Sequence, residues 1–89
     1  MITVAIVALV LGAVKIRQES LICRRRAAMH AWAEGMFRGR LANSAAFYPS
    51  DEQRQWATRR AAWHAQLRRK YERAASHPWE SLDPDPPTP

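Results

Sequence analysis

The chain opens on an apolar run, Met1 to Val14, with no charged side chain and a single hydroxyl, Thr3. Lys15, Arg17 and the triplet Arg24, Arg25 and Arg26 follow at once. An apolar run closed by basic residues is the pattern of a membrane anchor meeting a cytoplasmic boundary. A helix rises about 1.5 Å per residue, so Met1 to Val14 covers roughly 21 Å, short of the roughly 30 Å hydrocarbon core. If Lys15 and Arg17 snorkel toward the headgroups, the span runs on through Leu21 and Ile22 to about 33 Å, with Gln18 and Glu19 in its poorer half. A start upstream of Met1 is the alternative. The pattern predicts an anchor over residues 1–22 in the cytoplasmic (inner) membrane, with Lys15, Arg17, Arg24, Arg25 and Arg26 holding its boundary or anionic lipid and the C-terminus in the cytoplasm. A cleaved signal would need basic residues before the run, and a lipid anchor a small residue before Cys23, where Ile22 stands. The competing reading is a buried core helix, but no comparable apolar surface elsewhere in the chain matches this run. Within it, Ala8 and Gly12 form a small-xxx-small pair that would admit a partner helix.

After the run the apolar positions change period. Ile22, Met29, Trp32, Ala33 and Met36 recur at three- and four-residue spacing and predict a basic helix over residues 23–41. Gly35, Gly39 and Asn43 weaken it, and residues 42–50 carry turn chemistry ending at Pro49. Ser50-Asp51-Glu52-Gln53 is a capping-box pattern, so a second amphipathic basic helix is expected over 51–76, with Trp56, Trp63, Leu67, Tyr71 and Ala74 on one stripe. Pro78 disfavours helical geometry at His77 and closes it. Residues 77–89 are expected to be an extended or disordered Pro-rich tail. Folding the chain at 42–50 lays the helices antiparallel, with Met36 or Phe37 near Trp56, Met29 and Trp32 near Trp63, and Cys23 near Tyr71. The expected fold is all-α: a transmembrane helix continuing into a cytoplasmic two-helix hairpin packed through Met29, Trp32, Met36, Trp56, Trp63, Leu67 and Tyr71. A hairpin this small calls for help from a membrane surface, a protein partner or self-association.

Charge sharpens the picture. The net charge is +6, but it is partitioned: both helical segments are strongly basic, whereas the tail carries Glu80, Asp83 and Asp85. Cationic segments favour anionic surfaces, whether lipid headgroups, nucleic acid or an acidic protein face. Cys23 is the only cysteine, which rules out an intrachain disulfide. Cys23 and His30 lie seven apart, about 10 Å along a helix, too far to share one ion, so no metal or other cofactor is expected. No nucleophile with a base, no paired carboxylates and no phosphate-cradling glycine loop is present, so catalysis is not expected. The tryptophans on the stripes suit core packing; stacking on single-stranded nucleic acid would require them exposed between the arginines.

Arg25-Arg26-Ala27-Ala28-Met29-His30-Ala31 returns as Arg59-Arg60-Ala61-Ala62-Trp63-His64-Ala65, which gives two similar helices rather than a solenoid. The stretch Trp63-His64-Ala65-Gln66-Leu67-Arg68-Arg69-Lys70-Tyr71-Glu72-Arg73-Ala74-Ala75, with Pro78-Trp79 and Asp85-Pro86-Pro87, resembles short planctomycete proteins that pair one apolar segment with an Arg-rich helix and a Pro-rich end. That resemblance implies the same single-pass architecture and brings no activity. The leading expectation is a non-catalytic accessory or interaction subunit in the membrane. The alternative is a small soluble basic helical protein that binds nucleic acid, its N-terminal run buried against a partner or in an oligomer.

Overall fold

A computed structural model describes residues 2–89. Three helices follow one another: α1 over Ile2–Ala42, a single turn α2 over Ser44–Phe47, and α3 over Asp51–Ser76. Among the described residues there is no strand. Helix α1 is a single helix with no break at residues 22 and 23, where the expected anchor runs on into the basic helix. Its 41 residues set the longest dimension of the molecule, 68 × 19 × 13 Å.

No helix among the described residues is long and apolar enough to cross a membrane, which overturns the single-pass architecture and the inner-membrane placement. The physical reason lies in residues 15–22. Lys15, Arg17, Gln18 and Glu19 fall within two helical turns, and their polarity ends the apolar stretch at Val14, well short of a roughly 30 Å core. Met1, the first residue of the expected anchor, lies outside the described residues. Without a span, Lys15, Arg17, Arg24, Arg25 and Arg26 mark no membrane boundary; they lie along one uninterrupted helix.

The hairpin is made by α3 folding back along the second half of α1. Its turn is specified locally. Asn43 interrupts α1, α2 supplies one turn, and Ser50 caps α3: the Gln53 N–H donates to Ser50 Oγ at 3.1 Å and the Ser50 N–H donates to Gln53 Oε1 at 3.3 Å. Arg54 fastens the loop by donating to the carbonyls of Tyr48 at 3.1 Å and Pro49 at 3.3 Å. At the other end, Ser20 Oγ donates to the Ala75 carbonyl at 2.8 Å and ties the last turn of α3 to α1.

Two clusters fill the seam. Cys23 and Ala27 pack with Leu67, Tyr71 and Ala75, and Phe37 packs with Tyr48, Ala57 and Ala61. The α3 side is therefore a row of alanines, with Ala57, Ala61 and Ala65 buried at four-residue spacing, a surface that lets α1 approach closely. This determines which face of α1 turns inward. Met29 and Trp32, expected in the hairpin packing, are 58% and 70% exposed. The inward face instead carries Cys23, Ala27, His30, Ala33 and Phe37. Trp56, also expected in the packing, is 40% exposed, and Trp63 and Met36 are partly buried against the clusters.

Beyond the hairpin, the first half of α1 projects alone. Ile2, Val4, Leu9 and Leu11 are each more than 60% exposed. Ala8 and Gly12 sit on this arm, and a side chain at Gly12 would meet nothing within 4 Å. No helix among the described residues lies against that face.

Candidate nucleic-acid interface

The outward face of α1 carries the chemistry that the sequence pattern assigns to the core. Arg25, Met29 and Trp32 stand at four- and seven-residue spacing, so they share one face, and all three are exposed. Gly35 and Gly39 continue that face at positions three and seven beyond Trp32. Added Cβ atoms at Gly35 and Gly39 would touch nothing, so no packing calls for glycine there, although each costs about 1 kcal/mol relative to alanine inside a helix. Their effect is to leave the helix surface beside the Trp32 ring clear.

Most of the described basic residues carry no ion pair. Ion pairs engage Arg38, Arg54, Arg68, Lys70 and Arg73. Among the described residues Lys15, Arg17, Arg24, Arg25, Arg26, Arg40, Arg59, Arg60 and Arg69 have no carboxylate partner. Arg26 lies over the Tyr71 ring at 5.5 Å and Arg60 over the Trp56 ring at 5.2 Å, cation–π contacts that orient the guanidinium without neutralising it. The paired cations serve the fold. Glu34 bridges the helices, accepting from Arg68 Nε at 3.0 Å and from Arg38 Nε at 3.0 Å. Burial pushes the Glu34 carboxyl up, but the two guanidinium groups outweigh it and hold it below the ordinary glutamate range.

His30 and His64, the matched histidines of the internal echo, meet inside the hairpin. Their Nδ1 atoms are 2.9 Å apart, which requires one ring to donate and the other to accept. His30 is buried, stacked on Tyr71 with centroids 5.8 Å apart and set edge-on to Trp63 at 5.8 Å. Burial lowers both histidine pKa values. Asp85 opposes that shift at His30 and Arg26 reinforces it; at His64 the neighbouring His30 and Arg60 reinforce it and Glu34 opposes it. Both histidines therefore take up a proton less readily in the fold than in the unfolded chain, where the ordinary pKa is about 6.5. Because the unfolded state binds the extra protons, stability is full above that pH and falls as the pH drops through it. Thermal denaturation followed by circular dichroism is expected to show the melting temperature falling steadily between pH 7 and pH 5, with His64→Gln flattening the dependence. An unchanged profile in that variant would show that the pair does not govern it. Among the described residues no three His, Cys, Asp or Glu side chains converge as metal ligands.

The tail runs back along α3 and is held by its side chains. Trp63 Nε1 donates to the Pro86 carbonyl at 3.0 Å, and Tyr71 OH donates to the Asp85 carboxylate at 2.9 Å. Lys70 pairs with Asp85 at 2.6 Å and also reaches the Asp83 carbonyl. Lys70 and the Tyr71 hydroxyl hold the Asp85 carboxyl below its usual range against the opposing effect of burial.

No family model, curated protein or solved structure matches the chain. The site thus stands on its own geometry. Pattern reading placed Trp32 on the wrong side of α1, since it is 70% exposed. The signal that marks the inward face was present as a second stripe, Cys23-Ala27-His30-Phe37, whose small and polar members give it low hydrophobic weight.

Proposed function

We propose that this chain is a non-catalytic basic helical-hairpin protein that binds nucleic acid, an unpaired base stacking on Trp32 while the flanking arginines hold phosphates. The observation that carries this reading is Trp32 itself, 70% exposed on the same face as Arg25. A buried tryptophan would serve packing; one left in solvent on a face that carries the unpaired Arg25 two turns away matches the combination of aromatic platform and basic residue that binds single strands. The arginine excess supplies affinity through the backbone and makes no demand on base sequence.

Titration of a fluorescein-labelled oligothymidylate of about 20 nucleotides by fluorescence anisotropy tests the reading. Binding is expected to weaken linearly in log–log form with salt, each phosphate contact contributing a slope of about 0.7. Binding that ignores salt, or no binding at low salt, would overturn it.

A further inference from the structure

The groove that the tail occupies beside α3 has the donor set of a phosphate site. Lys70 Nζ and Tyr71 OH converge on one carboxylate, that of Asp85, at 2.6 and 2.9 Å. Arg73 makes a two-point contact with Glu80, Nε and Nη2 each at 3.3 Å from one carboxylate oxygen. Arg26 lies over the Tyr71 ring from the α1 side. A planar guanidinium fork, an ammonium and a phenolic hydroxyl presented to an anion suit phosphate oxygens as well as they suit carboxylates. The occupant is also the right kind of decoy: an extended segment with Pro84, Pro86 and Pro87 cannot form helix, and it carries its charges at Glu80, Asp83 and Asp85.

From this cluster, and resting on the nucleic-acid reading above, we infer that the groove formed by Arg26, Lys70, Tyr71 and Arg73 is a second phosphate-backbone site, which the acidic residues Glu80 and Asp85 occupy in competition with nucleic acid. The tail's ion pairs are partly solvated, with Arg73 70% and Asp85 45% exposed at their side chains. Such pairs are individually weak. Attachment to the chain keeps the tail at high effective concentration, so it holds the groove until a polyanion, offering several phosphates at once, displaces it. Displacement adds the groove cations to those on the outward face of α1 and extends the contacted strand around the hairpin.

The test uses the full chain carrying Glu80→Gln and Asp85→Asn, set against a charge-matched full chain carrying Asp51→Asn and Glu52→Gln, two exposed carboxylates in the first turn of α3, away from the groove. Each is titrated with the same labelled oligothymidylate. The tail variant is expected to bind about tenfold tighter than the matched variant, as removal of a self-occupied fraction predicts. In the wild-type chain, addition of unlabelled oligothymidylate is expected to lower the 15N heteronuclear NOE of Glu80, Ser81, Leu82, Asp83, Asp85 and Thr88 as the tail leaves the groove. Equal affinities for the two variants, or a tail whose NOE stays unchanged in the bound wild type, would overturn the competition and leave the outward-face reading intact. Failure of all three chains to bind would overturn the nucleic-acid reading itself.

Discussion

Replacing Trp32 with alanine is expected to weaken binding to single-stranded oligothymidylate by about 5- to 100-fold, the effect of losing one stacked base at roughly 1–3 kcal/mol. The same change is expected to leave the melting temperature essentially where it was. Both halves follow from one fact: the Trp32 side chain lies in solvent, so its removal opens no cavity, and surface substitutions of that kind stay within about ±0.5 kcal/mol. The salt slope is expected to stay unchanged, because stacking involves no counterion release, whereas Arg25→Gln should lower it by about one contact's worth. Anisotropy titration at several salt concentrations and a thermal melt by circular dichroism measure all of this on the same preparations. If Trp32→Ala lowers the melting temperature by ten degrees or more, the residue packs against another surface and the stacking role fails.

Leu67→Ala carries the largest expected cost to the fold, about 2–5 kcal/mol. Leu67 is 1% exposed and is the one large aliphatic side chain fully enclosed between Cys23 and Ala27 on α1 and Tyr71 and Ala75 on α3. A two-helix hairpin has little stability in reserve, so the variant is expected to lose its cooperative unfolding transition at room temperature. Met29→Ala makes the informative comparison. Met29 is a long apolar side chain on the predicted stripe, yet it is 58% exposed, and its truncation should shift stability by no more than about 0.5 kcal/mol. Chemical denaturation of the two variants measures the difference directly. Equal losses would mean that α1 presents its Ile22-Met29-Trp32-Met36 face to α3 and that the outward interface does not exist.

The internal echo gains a physical meaning in this frame. His30 and His64 occupy matching places in two similar segments, and folding the segments antiparallel brings their Nδ1 atoms to 2.9 Å. Around them Tyr71, Trp63 and Phe37 form a stacked and edge-on aromatic group that links the two apolar clusters. A polar pair at the centre of a small seam contributes little as a single hydrogen bond. Its register requirement is strict, since either ring displaced by one turn would leave a buried nitrogen unpaired.

Local sequence specified a good deal of this molecule. Alanine, arginine and leucine without β-branched runs after Val14 make helices; Ser50 and Gln53 supply both halves of a cap, and Pro78 stops α3 by steric conflict with the residue before it. The cationic excess and the acidic tail were also visible in the letters. So was the shortfall of the apolar run: Met1 to Val14 reaches only about 21 Å, and the expected span depended on extending it across Lys15, Arg17, Gln18 and Glu19. Only the tertiary structure decided which face of α1 turns inward. Two stripes on that helix have the same 3.6-residue period, and hydrophobic weight favours the one with Met29 and Trp32. Packing favours the other, because the alanine row of α3 draws the helices close and accepts cysteine, alanine, histidine and one phenylalanine where an indole and a thioether would hold them apart. The place of the tail was equally beyond pattern: a Pro-rich segment has no period, and its position is set by contacts to Trp63, Lys70, Tyr71 and Arg73 of α3, partners 7 to 23 residues away along the chain.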